Sequence, residues 1–279
     1  MATQRYMSWL SMLVLLITGG CGDQLLLNPS TRHVDTLGAQ RHTFEHAGKT
    51  IEIYSADSPG VLAGNTAQAY VLDFTGNSSR AESEATPMAR HWGALPVEVW
   101  VMNYPGFGGS QGPALLRSIQ DSALATYDQI ARTAAGRPIF VTGASMGTVT
   151  ALCVATHRPA AGMLLRSPPP LPRVIMQRYG WWNLWLLAGT TVLELPPELD
   201  SLSTAPRIKA PAIFVLSGND SLIPLEYQEL VVAAYGGDKR ILMLPQAKHD
   251  TPIGTSDQPR LQADLDWLWA QTMPPTASR

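Results

Sequence analysis

The chain predicts an α/β fold: a mainly parallel sheet with helices on both faces and a cap inserted towards its carboxyl half. Three observations carry this expectation. Short runs rich in β-branched and aromatic residues alternate with segments of helical periodicity, the pattern of βαβ units. Several of these runs, such as Ile139-Phe140-Val141 and Ala212-Ile213-Phe214-Val215-Leu216, are apolar without interruption. That suits strands covered on both faces. One run enters Gly143-Ala144-Ser145-Met146-Gly147 and leaves as small apolar residues at helical spacing. Strand, sharp turn and helix in succession are the setting a G-x-S-x-G nucleophile elbow needs.

A length of 279 residues fits one large α/β domain with a sizeable core. The reading divides it into an N-terminal leader (1–20), a polar tether (21–40) and the folded domain (41–275), with residues 168–206 as the cap. A formal net charge of -2, with no basic run interleaved with aromatics, argues against a nucleic-acid partner. Two cysteines and six scattered histidines offer neither a disulfide framework nor metal-ligand spacing, so no cofactor or metal is expected.

In the leader, Arg5 precedes the apolar run Trp9–Ile17, too short to span the roughly 30 Å hydrocarbon core but suited to a signal-peptide h-region. It ends in Thr18-Gly19-Gly20-Cys21, which resembles the lipobox of bacterial lipoproteins. That resemblance implies cleavage before Cys21 and acylation of its sulfur, hence export to the bacterial cell envelope; an ordinary secretory signal with an incidental cysteine, or an uncleaved anchor, stays open. With Gly22 in the next place, the resemblance implies an outer-membrane lipoprotein facing the periplasm and held by its lipid anchor. Cys153 then has no partner and reads as a buried apolar residue.

The elements follow in order. Residues 42–46 and 50–55, separated by Ala47-Gly48-Lys49, predict a β-hairpin, and 68–74 the next strand. A helix is expected over 81–95, a strand over 97–104, a loop over 105–112 and a helix over 114–132. His91, in the first of these helices, has no evident pairing and reads as a surface or packing residue. The strand before Ser145, its helix to His157 and a strand over 161–166 follow. Residues 168–206 break the alternation with three prolines and the aromatics Trp181, Trp182 and Trp185, which would line an acyl pocket, touch a membrane or simply pack the cap. The sheet then resumes: strand 212–216, helix 224–235, strand 240–244 and a closing amphipathic helix 259–271.

Ligands of such sheets bind beyond the carboxyl ends of the strands, where Ser145 falls. A serine hydroxyl needs a base to become nucleophilic, and an imidazole serves best when a carboxylate fixes its tautomer. Asp220 follows the penultimate strand and His249 the last. The order Ser145, Asp220, His249 is the one in which this constellation is built on an α/β sheet. Asp250 is a rival carboxylate, but adjacency makes it awkward for orienting His249. A second match to the motif, Gly108-Gly109-Ser110-Gln111-Gly112, lies in a loop with Pro105 and Pro113 close by, so Ser110 is expected to be non-catalytic.

Taken together, Thr75-Gly76-Asn77, the loop Asn103-Tyr104-Pro105-Gly106-Phe107-Gly108-Gly109-Ser110-Gln111-Gly112, the elbow, Ser217-Gly218-Asn219-Asp220 and Lys248-His249-Asp250 resemble the α/β-hydrolases of the Bem46-like group. Relatives of that group include acyl-protein thioesterases and lysophospholipid or monoacylglycerol lipases. The resemblance covers about residues 40–271 and implies a serine hydrolase of ester or thioester bonds acting on a small or lipid-like acyl substrate. It also implies an oxyanion hole from the backbone N–H groups of Met146 and Asn77, the latter following Thr75-Gly76 where the family has His-Gly. Two alternatives stay open: a peptidase or amidase on the same scaffold, and a non-catalytic envelope lipoprotein serving as a binding module.

Overall fold

The computed structural model describes residue 23 and residues 26–179 and 186–273 of the chain. Cys21, Trp181, Trp182 and Trp185 lie outside the described residues. Among the described residues, no helix is long and apolar enough to cross a membrane.

Eight strands form one sheet: β1 (Gln40–His46), β2 (Lys49–Asp57), β3 (Ala69–Phe74), β4 (Val97–Met102), β5 (Ile139–Ala144), β6 (Met163–Arg166), β7 (Ala212–Ser217) and β8 (Lys239–Leu244). Their order is β1-β2-β4-β3-β5-β6-β7-β8. β2 runs antiparallel to both β1 and β4, and the strands from β4 to β8 are mutually parallel. β3 and β7 are buried along their whole length, which is why their sequences show no polar alternation. After β3 the chain crosses to one side to make β4, and later returns to the other side of β3 to make β5. Between the carboxyl ends of β3 and β5 it therefore leaves the crevice in which open α/β sheets bind their ligands.

The main helices are α1 (Ala81–His91), α2 (Leu116–Ala134), α3 (Met146–His157), α4 (Leu171–Tyr179), α5 (Leu186–Glu194), α6 (Leu225–Ala234) and α7 (Gln258–Thr272). Two apolar clusters separate cleanly across the sheet. Leu72, Phe74, Val141 and Phe214 pack with residues of α2, α3 and α6; Val71, Phe140, Ile213 and Val215 face α1 and α7. Consecutive residues of one strand enter different clusters because a pleated strand alternates its side chains. Along α2 the buried positions Leu116, Ile119, Ala123, Tyr127, Ile130 and Ala134 recur every three or four residues, a single apolar stripe. α3 is buried from Met146 to Val154 and so is apolar all round, Cys153 included.

Element types agree with the sequence reading throughout, and most bounds shift by a few residues. α1 ends at His91, short of the expected residue 95, because Trp92 turns inward to complete burial and Gly93 takes φ +56°, a left-handed value that stops a helix. Between β6 and β7 the expected insertion is helical: α4, α5 and three short helical turns over 197–207.

The segment read as a tether corrects that reading. Leu27 is 5% exposed within the α2/α3 core, and Ala39 is buried against the α1/α7 core. Asp23 accepts a hydrogen bond from the Leu116 N–H at 2.7 Å, satisfying one of the donors left over at the start of α2. This N-terminal strap is thus part of the domain. In this mostly polar segment Leu27, the last of three consecutive leucines in the sequence, supplies buried apolar surface that docks it.

Candidate active site

The elbow is built by close approach. Ser145 has φ +53° and ψ −122°, a backbone conformation costly for a residue with a side chain. A Cβ on Gly143 would lie 2.4 Å from the Gly147 carbonyl oxygen, and one on Gly147 only 1.8 Å from that of Phe74. Both contacts are with backbone, which cannot step aside, so the two glycines are required where β5 turns sharply into α3. The Met146 N–H opens α3 and lies among the donors that have no acceptor within the helix.

Ser145, Asp220 and His249 come from the ends of three different strands and meet. The Ser145 Oγ lies 3.0 Å from His249 Nε2, and His249 Nδ1 lies 2.7 Å from Asp220 Oδ2. The other Asp220 oxygen accepts from the N–H groups of Leu222 and Ile223 at 2.8 and 2.9 Å. The turn-capping role that Asp220 would have in isolation is thus filled as well, and those two bonds fix the carboxylate for the histidine. The side chain of Asp220 is fully enclosed. Burial works against its ionisation, but the His249 contact and the Ile223 and Leu222 N–H groups outweigh it and hold the carboxyl below its ordinary value.

The Gly76-Asn77 loop abuts this relay: a Cβ on Gly76 would sit 3.7 Å from the Ser145 Cβ. Gly76, Asn77, Ser145, Met146 and His249 all line one cavity of about 930 Å³, within the size range of small-molecule sites. Leu26 and Leu27 of the strap and Leu171, Val174 and Ile175 of α4 supply apolar wall. The other titratable side chains on the wall are Glu84 and His91 of α1, Arg166 at the end of β6, Arg178 of α4, and Asp250. The Arg166 guanidinium donates to the Thr251 carbonyl, and Asp250 and Glu84 lie within its electrostatic reach. His91, expected at the surface or in packing, instead lies on the cavity wall beside Gln258 Nε2 at 3.3 Å, and burial lowers its pKa. Its place on α1 was readable from periodicity, but nothing in the sequence says that α1 reaches the site.

Ser110 is elsewhere. Its hydroxyl donates to the Asn103 carbonyl at 2.7 Å and accepts from the Glu52 N–H at 2.9 Å. The surrounding loop is clamped by a buried polar cluster that sequence reasoning missed. Asn103 Nδ2 donates to Glu52 and Glu82 at 2.7 and 2.8 Å, its Oδ1 caps α1 through the Ala81 N–H, and Arg80 pairs with Glu82. A Cβ on Gly109 would come 2.5 Å from Glu52 Oε1, so the glycines of this loop make room for the cluster.

One residue before Phe74, whose carbonyl meets Gly147, Asp73 is enclosed and accepts from the Thr142 hydroxyl at 2.6 Å. Burial pushes its carboxyl up to about 7 from 3.8. Between those values the native state holds a proton that the unfolded chain releases, so this group makes stability fall as pH rises. Asp220 has the opposite sign: its contribution is complete above 3.8 and is lost as pH falls through the lower native value. Asp73→Asn, which keeps an acceptor for Thr142, is expected to be the more stable protein at about pH 8, by on the order of 3–4 kcal/mol, with the gap shrinking towards about pH 4. Denaturant unfolding at several pH values checks this; a gap that does not change with pH would refute it.

A family model described as serine aminopeptidase, S33, matches residues 67–197. Two uncharacterized proteins of Mycobacterium tuberculosis are 27% identical over 186 residues, 65% of this chain and 63% of theirs, so the match spans just under two thirds of those relatives. Among solved structures, acylaminoacyl peptidase of Pyrococcus horikoshii superposes with a TM-score of 0.64 at 16% identity, covering 86% of this chain and 43% of that one. Est1E of Butyrivibrio proteoclasticus gives 0.64 at 13% identity, covering 83% and 98%.

The chain has the α/β-hydrolase fold. It shares its sheet and helix arrangement with solved structures that include esterases and a peptidase, and that likeness is one of fold alone.

Proposed function

We propose that this protein is a serine hydrolase that cleaves carboxylic esters or thioesters of apolar acyl groups, with Ser145 as nucleophile, His249 as general base and acid, and Asp220 as the carboxylate that orients the imidazole. The observation that carries the reading is the unbroken relay from Ser145 Oγ through His249 to Asp220, at 3.0 and 2.7 Å, on the wall of the cavity. His249 Nε2 takes the hydroxyl proton as Ser145 Oγ attacks the carbonyl carbon. The N–H groups of Met146 and Asn77 receive the oxyanion. Collapse breaks the bond to the leaving oxygen or sulfur, which departs with the proton from His249. Water then gives its proton to the same nitrogen and frees the acid, restoring the serine.

Ester or thioester preference is supported by the leucine, valine and isoleucine wall beside the relay and by the resemblance of the motif set to the Bem46-like group. A second reading, an amidase or peptidase, is favoured by the serine aminopeptidase model that spans the elbow. It uses the same five groups. Kinetics on p-nitrophenyl esters of increasing acyl length, set beside acyl and aminoacyl p-nitroanilides, separate the two. We expect kcat/KM to rise with chain length among the esters and to exceed that of any anilide by at least about 10²-fold; an anilide turned over faster than every ester would reverse the assignment.

A further inference from the structure

The strap that precedes β1 does more than cover the core. It meets the hydrolase domain at the loop that carries the Asn77 N–H, and the contact is reciprocal. The Asn28 N–H donates to Asn77 Oδ1 at 2.9 Å, the Asn77 carboxamide nitrogen donates to the Leu26 carbonyl, and Asn28 Nδ2 donates to Ser78 Oγ at 3.1 Å. Three bonds thus tie two segments about fifty residues apart in sequence.

The strap is itself held at several points. Asp23 caps α2 at its Leu116 N–H, and Leu27 is in the core. The Ser30 carbonyl accepts from the Gly108 N–H at 3.0 Å and from Arg80 at 2.7 Å, and Arg80 reaches the Arg32 carbonyl at 2.8 Å. The strap is therefore a fixed brace, and the loop it braces runs beside Ser145, where a Cβ built on Gly76 would sit 3.7 Å from the Ser145 Cβ.

We propose that Asn28 and the carboxamide of Asn77 are positioning residues for the oxyanion hole: they hold the Asn77 N–H where it meets the developing charge, and the strap is part of the catalytic apparatus. This rests on the serine-hydrolase reading above. Two features of the loop make such a brace necessary. It runs on from Gly76, a residue with no side chain to restrict its backbone. Its backbone donor must also be placed within a fraction of an ångström to act on an oxyanion, since a displacement of about 1 Å costs on the order of 10² in rate. Leu26, Leu27 and Asn28 line the cavity too, so the same segment that aligns the donor forms wall beside the reacting carbonyl.

The test uses full-length Asn77→Ala, which removes both bonds between that carboxamide and the strap backbone, and the milder Asn28→Ala, which removes the bond to Ser78. With a p-nitrophenyl ester we expect kcat to fall by about 10- to 100-fold in the first and about 3- to 10-fold in the second, with KM within about threefold of wild type. Affinity for an alkylboronic acid, which forms a tetrahedral adduct on the serine, should fall by the same factors as kcat/KM. A purely structural role would not produce that parallel. If both variants keep kcat and boronate affinity within about twofold, or lose kcat with boronate affinity unchanged, the strap inference fails although the hydrolase reading stands. If the wild-type protein shows no esterase activity and no boronate binding, it is the hydrolase reading that has failed.

Discussion

Replacing Ser145 by alanine is expected to lower kcat on a p-nitrophenyl ester by about 10⁴-fold or more, with circular dichroism and thermal unfolding showing an intact fold. The size of the effect follows from the chemistry. Without the hydroxyl there is no acyl-enzyme, and only oxyanion stabilisation and substrate positioning remain. The fold should survive because the elbow is shaped by Gly143 and Gly147 pressing on backbone, and the Ser145 side chain bonds to His249. Ser110→Ala makes the matched contrast. That hydroxyl sits between the Asn103 carbonyl and the Glu52 N–H. Its loss should reduce stability by about 1–3 kcal/mol and leave kcat within about threefold. Equal losses of activity in both variants would mean that the geometry around Ser145 has been misread.

Asp220→Asn carries the second large effect. In the native relay the carboxylate accepts the proton-bearing Nδ1 of His249, leaving Nε2 free to take the serine proton. A carboxamide that turns its nitrogen towards His249 donates instead, forces the proton onto Nε2 and leaves the serine without a base. We expect kcat to drop on the order of 10⁴-fold with KM little changed. The N–H groups of Leu222 and Ile223 keep an oxygen acceptor in the variant, so the turn after β7 should hold. Steady-state kinetics with a melting curve measures both parts. A loss of less than about tenfold would show that Asp220 does not govern the histidine.

Much of this could be read from the chain, for reasons that can be named. β3, β5 and β7 stand out because strands covered on both faces are mostly apolar, with Asp73 and Thr142 paired to each other inside the sheet. That Ser145, Asp220 and His249 meet was legible because each follows a strand and their order suits an α/β sheet. The strap was not legible. Apart from Leu25, Leu26 and Leu27, residues 23–40 are polar and mixed enough to read as a linker, and their partners Asn77, Ser78, Arg80 and Gly108 lie some fifty to eighty positions away. The cluster of Glu52, Glu82, Arg80 and Asn103 was hidden for a different reason. Side chains of these types are mostly solvated, and only the assembled fold gives each one its countercharge or amide. His91 belongs with them, since its position on the cavity wall depends on how α1 packs rather than on its neighbours in sequence.

The most direct measurement is covalent labelling of the full chain with an alkyl fluorophosphonate, followed by peptide mass spectrometry. The relay of Ser145, His249 and Asp220 predicts a single stoichiometric adduct on Ser145, absent in Ser145→Ala and strongly slowed in Asp220→Asn. Folded wild-type protein that takes up no label, or carries it on another residue, would contradict the account.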